Sequence, residues 1–389
     1  MSGKMFYVHI HIRWMILLLL DPLRKICFTG SSKFPQKVSR GAIRANFVKL
    51  RTTQPLMPSS KSQTYLQDTS KLGSSIHQQS HPVTKWPQNV WDLISLLLYH
   101  IRTIWLFTYT DLKTIVFPST AFGVLTALSL SLSKAIPLPP IIVFQRIHSV
   151  LFWTWINLLP FCIGNQRQTG AIIEDKLNKP WRPVTSGRLT PRQATYLQLA
   201  IYPLALLASV LLGGTPQCLV LVVLEYLYND LEGSERSCVT RNVVNASGFA
   251  FYSSGALAVA LKGTGPLPAM LYQWQFVMAA VVASAGHSQD MADQAGDRLR
   301  NRKTVPLVIG DRVARWTIAV PVAFWTAVAP RFWKLSAVGY LIPFAIGWTV
   351  ILRTLIVRDI VGDMTTFQIW NLWMVSLYLL PLVKAYTML

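Results

Sequence analysis

Thr114-Ile-Val-Phe-Pro-Ser-Thr-Ala-Phe-Gly-Val-Leu-Thr-Ala-Leu-Ser-Leu-Ser-Leu-Ser133 contains no charged side chain, and its polar residues are small hydroxyls that can bond back onto a helix. A hydrocarbon core near 30 Å is crossed by about 20 such residues in helical form. Because lipid satisfies no backbone N–H or C=O, a segment like this spans as a helix whose hydrogen bonds are internal. Comparable stretches recur towards the carboxyl terminus near 148–164, 193–212, 217–230, 246–262, 272–289, 313–330, 336–356 and 366–386. The fourth and fifth are the least regular, since Glu225, Tyr228, Asn229 and Asp230 crowd one and Ser, Gly and Asn dot the other. The pattern predicts an all-α protein, a polytopic membrane bundle of about nine transmembrane helices.

Composition agrees with a bilayer as solvent. Of 389 residues, 52% are apolar, and they fall in blocks rather than at the spacing of a water-soluble core. The net charge of +21 invites a nucleic-acid reading, but the Lys and Arg residues occupy the amino-terminal tail and alternate loops between apolar blocks. That is the distribution of topology and headgroup charges, with those loops and the tail on the cytoplasmic side. The bilayer, not nucleic acid, is the expected partner. Residues 1–90 read as a disordered, basic cytoplasmic tail, with a weak anchor at most in Met1–Leu20, where His9, His11 and Arg13 interrupt the apolar run. Residues 91–389 read as the catalytic membrane domain. Cys27, Cys162, Cys218 and Cys238 lie too far apart in sequence for a CxxC metal or redox site.

Two acidic stretches stand out at the ends of predicted helices. After the second span the chain reads Glu174-Asp175-Lys-Leu-Asn178-Lys179-Pro180-Trp181-Arg182-Pro183; after the sixth it reads Asp290-Met-Ala-Asp293-Gln-Ala-Gly-Asp297-Arg298, followed by Arg302-Lys303. The i, i+3, i+7 spacing of Asp290, Asp293 and Asp297 stacks three carboxylates on one helical face. Like charges that close repel unless cations lie between them, and hard oxygen ligands with room for water and phosphate oxygens suit Mg2+. Lys179, Arg182, Arg298, Arg302 and Lys303 beside these acids supply what a diphosphate needs, since metal and guanidinium together neutralise it as a leaving group. Pro180 and Pro183 end the helix and present Asn178 and Arg182 to the cavity mouth.

At these residues the sequence resembles the UbiA superfamily of intramembrane prenyltransferases, nine-helix bundles with aspartate-rich motifs after the second and sixth helices. Asp175 to Pro183 with Ser186-Gly187 looks like the end of the first motif, and Asp290 to Arg298 like the second. The first motif departs from the usual Asn-Asp opening: Asn165 is followed by Gln166, and Glu174-Asp175 arrives late. With Phe107 to Pro118, that form looks like a fungal terpene-cyclase branch of the family. The resemblance implies a Mg2+ site from Asn165, Glu174, Asp175, Asp290, Asp293 and Asp297, with Asp290, Asp293 and Asp297 catalytic. It also implies a diphosphate site from Lys179, Arg182, Arg298, Arg302 and Lys303, a prenyl diphosphate as substrate (farnesyl diphosphate for the cyclase branch), and residence in the endoplasmic reticulum. Terpene cyclisation, prenyl transfer to an acceptor, and a non-catalytic transporter or scaffold are the three readings, in that order. Trp153, Trp155, Tyr226, Tyr228, Phe251, Tyr252 and Trp274 are candidate cation-stabilising aromatics, and Asn245 and Gly248 candidate cavity residues.

Overall fold

The computed structural model describes residues 89–264 and 267–387, so the expectation for the amino-terminal tail lies outside the described residues. Helix α1 (Val90–Thr108) starts where the Asn89 side chain accepts the Asp92 amide at 2.9 Å, a standard N-cap. Helix α2 (Leu112–Leu132) begins with a π-turn over Leu112–Val116, and α3 (Ile147–Arg167) carries Pro160 in its interior. Extended backbone at Gln168 separates α3 from the short α4 (Thr169–Asn178). Helix α5 (Pro191–Leu212) opens on a reciprocal capping box between Thr190 and Gln193. Helix α6 (Thr215–Glu225) runs on through a π-turn over Tyr226–Asp230. Helix α7 (Cys238–Ala260) is followed by α8 (Ala269–Ala285), and a 3-10 turn at Gly286–Gln289 leads into α9 (Asp290–Leu299). Helices α10 (Asp311–Phe332), α11 (Val338–Ile356) and α12 (Ile360–Tyr378) follow, and a short helix over Leu380–Tyr386 ends the described bundle. Among the described residues there is no strand.

Helix α7 packs against α2, α3, α6 and α8. Its approach to α2 is close because Gly123 has no side chain: a Cβ there would stand 2.6 Å from the Ala256 carbonyl carbon. Small residues at such crossings replace the hydrophobic drive that lipid does not provide. Trp153, Trp274, Trp370 and Trp373 are completely buried in the interior. The outside is the reverse of a water-soluble surface, with Leu199, Leu207 and Leu211 exposed on α5 and Leu341, Phe344 and Trp348 on α11. That apolar exterior meets lipid.

Nine helices among the described residues are long and apolar enough to cross a membrane, but one member of the set differs from the sequence reading. Val90–Thr108 qualifies although no span was expected there, because Asp92, His100 and Arg102 dilute its run. Only 11% of its apolar window is buried. Its inner face is held by Arg188, whose guanidinium lies 4.0 Å over the Tyr99 ring and donates to Thr103. The expected span at 217–230, in contrast, is divided by the π-turn at Tyr226 and falls short as one regular helix. Connectivity nevertheless requires it to cross. The residues after α3 touch those after α8, so an even number of crossings separates them. Helices α5, α7 and α8 make three, and the segment Thr215–Asp230 is the fourth.

Candidate active site

The two acidic stretches meet at one end of the bundle. Lys179 Nζ lies 2.8 Å from Asp293 Oδ2, and the Asn178 side chain donates to the Asp293 carbonyl at 3.3 Å. Contact this tight between α4 and α9 depends on Gly296, where a Cβ would stand 2.3 Å from Asn178 Nδ2. Arg302 spans both stretches: its Nη1 is 3.1 Å from Glu174 Oε2 and 3.4 Å from Asp297 Oδ1, and its Nη2 donates to Asn165 Oδ1 at 3.4 Å. Arg182 grips Asp175 with Nη1 at 2.9 and 3.0 Å from the two carboxylate oxygens, and its Nη2 is 3.8 Å from Asp111. One guanidinium nitrogen is thus shared between both oxygens, a charge-assisted contact stronger than a neutral hydrogen bond.

Burial and pairing act against each other on these groups. Burial pushes the Glu174 carboxyl up, but the guanidiniums of Arg302 and Arg300 more than offset it and hold the group below the ordinary glutamate value. At Asp175 burial wins over Arg182 and the carboxyl is raised. Burial alone would lower Lys179, yet the Asp293 carboxylate beside it raises it, so its ammonium stays charged. Dense positive charge next to exchangeable carboxylates is the arrangement that admits a polyanion.

Beneath this network lies a cavity of about 390 Å3, within the range of roughly 300–1,000 Å3 usual for small-molecule sites. Asn165, Glu174, Lys179, Arg182, Asp290, Asp293 and Arg302 line its polar end. Leu158, Phe161, Leu221, Phe249, Tyr252 and Phe367 line the rest. Asn245 and Gly248 also face it.

Several expected residues stand elsewhere. Asp175 and Asp297 are buried behind the wall rather than on it. Arg298 and Lys303 are exposed and outside the lining, because the turn after α9 sends Arg300 and Arg302 inward in their place. Arg298→Ala and Lys303→Ala are each expected to change the KM for a prenyl diphosphate by no more than about twofold, the range of surface substitutions; a tenfold rise in microsomal assays would return them to the site. Of the seven candidate aromatics only Tyr228 and Tyr252 line the cavity. Trp153 bonds Ser209 at 2.8 Å, Trp155 bonds Thr108, Trp274 stacks on Phe332, and Tyr226 points outward. Gln166, in the position after Asn165, turns away and donates to the Phe107 carbonyl at 2.8 Å, fastening α1.

Two residues that the sequence reading treated only as topology charges, or passed over, belong to the network. Arg241, buried in the first turn of α7, makes a two-pronged pair with Asp290 at 2.7 and 3.2 Å and donates to the Tyr228 hydroxyl at 2.6 Å. Arg300 ties Glu174 to Glu235. Arg241 lies within a helix long and apolar enough to span, and a charged residue there is itself a signal of function. Among the described residues no three His, Cys, Asp or Glu side chains gather into a metal-holding group. The helical-face argument fails there because each aspartate of α9 turns to a different cation: Asp290 to Arg241, Asp293 to Lys179, Asp297 to Arg302.

The structure is thus a lipid-facing helical bundle that encloses an apolar chamber under a charged end. The UbiA prenyltransferase family is matched over residues 167–375, and the chain belongs to it. Its members are prenyltransferases or terpene synthases. The fumagillin beta-trans-bergamotene synthase of Aspergillus fumigatus is 29% identical over 293 residues, 75% of this chain and 96% of that protein. A diterpene cyclase of Hericium erinaceus is 27% identical over 60% of this chain and 72% of its own length. Among solved structures, a digeranylgeranylglyceryl phosphate synthase aligns with a TM-score of 0.48 at 16% identity, covering 74% of this chain and 99% of that one.

Proposed function

We propose that this protein is a Mg2+-dependent terpene cyclase that ionises farnesyl diphosphate and closes the resulting cation on its own distal double bonds, in the membrane of the endoplasmic reticulum. The observation that carries the reading is one cavity with an end lined by both acids and bases and an apolar, partly aromatic body. Support for cyclisation over transfer comes from the relatives named as a bergamotene synthase and a diterpene cyclase, the first of which this chain covers almost end to end.

The residues fit a hard divalent cation by donor chemistry. Asn165, Glu174, Asp290 and Asp293 present amide and carboxylate oxygens to the cavity, and Asp297 keeps Oδ2 buried with no hydrogen-bond partner. Asn165, Glu174, Asp290 and Asp293 would hold Mg2+, with Asp297 behind them, and when bound the ion would screen the diphosphate and make it a better leaving group. Lys179, Arg182, Arg241 and Arg302 orient the diphosphate and take up its charge as it departs. Tyr228, Tyr252, Phe161 and Phe249 line the space the allylic cation would occupy, where aromatic rings stabilise it and exclude water that would quench it.

Microsomes holding the full chain, given farnesyl diphosphate and Mg2+ with no acceptor, are expected to release a cyclic hydrocarbon. Product appearing only after a phenol, pyrone or quinone precursor is added would instead make the protein a prenyltransferase, the activity its family is named for.

A further inference from the structure

One buried carboxylate is left unused by that chemistry. Asp111, Glu174, Asp290 and Asp293 line the cavity and each pairs with an arginine or lysine. Glu225 also lines it, is only 3% exposed, and among the described residues is the one cavity carboxylate in no ion pair. Its Oε1 accepts from the neutral Gln198 amide, whose Oε1 in turn accepts Arg167 Nε at 2.8 Å. Arg167 is paired with the exposed Asp230. Along α6 and the π-turn that continues it, Leu221, Glu225 and Tyr228 share one face towards the cavity. Tyr228 belongs to the charged end through Arg241, and Leu221 to the hydrocarbon body. Glu225 therefore stands about one helical turn below the diphosphate end, on the wall of the space where a cyclised cation would lie.

We propose that Glu225 is the proton acceptor that terminates the reaction, an inference that rests on the cyclase reading above. Ionisation leaves the diphosphate with the electron pair of the C–O bond, and ring closure moves the positive charge along the chain. In the last step the C–H bond next to the cationic carbon breaks, its electron pair becomes the new C=C bond, and the proton passes to a carboxylate oxygen of Glu225. The product leaves as a neutral alkene, and Glu225 loses the proton to water afterwards. A purely structural role does not need an acid here: an ionised carboxylate inside a span is costly, and a neutral amide could hold Gln198 just as well.

The test is the product ratio of the full chain in microsomes with farnesyl diphosphate and Mg2+, read beside diphosphate release. Glu225→Gln keeps the size and the contact with Gln198. It is expected to release diphosphate within about threefold of the unaltered chain, while the principal hydrocarbon falls about tenfold or more relative to alcohols and isomeric alkenes. Glu225→Asp keeps the carboxylate on a shorter stem and should shift the ratio part of the way; it decides the matter alone if the Gln variant does not accumulate. An unchanged ratio in the variants, with hydrocarbon still formed by the unaltered chain, overturns the role of Glu225 and leaves the cyclase reading standing. No hydrocarbon from the unaltered chain without an acceptor overturns both.

Discussion

Asp293→Ala is expected to reduce diphosphate release by about 10³-fold while the protein still inserts and accumulates in the membrane. The figure corresponds to roughly 4 kcal/mol of lost charge stabilisation at a metal-bound leaving group. Asp293 is the cleanest position for the experiment because its partner, Lys179, keeps 20% of its side chain in contact with solvent. Removing the carboxylate therefore strands no fully buried charge. Asp290 is a poorer probe, since its loss leaves the buried Arg241 guanidinium with only Tyr228, and a loss of activity would then mix chemistry with misfolding. Retained turnover in Asp293→Ala, measured on microsomes normalised for protein, would remove the metal role from this residue.

The second large effect is expected at Arg302. Its guanidinium is the one group that touches Asn165, Glu174 and Asp297 together, so it joins α3, α4 and α9 at the charged end. Arg302→Ala leaves Glu174 with Arg300 but deprives the buried Asp297 of its ion pair. Breaking a buried pair by deleting one partner costs about 3–5 kcal/mol. The expected result is a clear fall in the unfolding temperature in detergent, together with a drop in kcat/KM of about 100-fold or more, a size that follows from losing roughly 3 kcal/mol. Arg302→Lys keeps one charge but cannot reproduce the fork, so it should recover stability better than kinetics. Wild-type stability and kinetics in Arg302→Ala would reduce the residue to a topology charge.

Lys179 and Asp293, or Arg302 and Glu174, lie over a hundred residues apart in the chain. Their proximity follows from helix parity, and parity depends on a segment whose own sequence is ambiguous. Thr215–Asp230 carries Glu225, Asn229 and Asp230 and ends in a π-turn; if it did not cross, the two acidic stretches would face opposite sides. Two of the polar residues that weaken it as a span, Glu225 and Asn229, are turned inward. Glu225 lines the cavity, and the Asn229 amide bonds the Phe161 carbonyl.

By itself the sequence determined that the chain is a helical membrane bundle, where most spans lie, and that two acid–base stretches stand at helix ends. Those are consequences of apolar run length and of charge placement, which act through the solvent and are written locally. Only the tertiary structure decided which charge answers which: Arg298 and Lys303 outside, Arg241 and Arg300 inside, two of seven aromatics on the cavity wall, and the carboxylates of α9 each turned to a separate cation. The periodicity of a helix says which residues share a face, but the partner of each is set by a neighbouring helix brought up by packing. Hydrogen bonds and ion pairs of a few ångströms are decided at that second level.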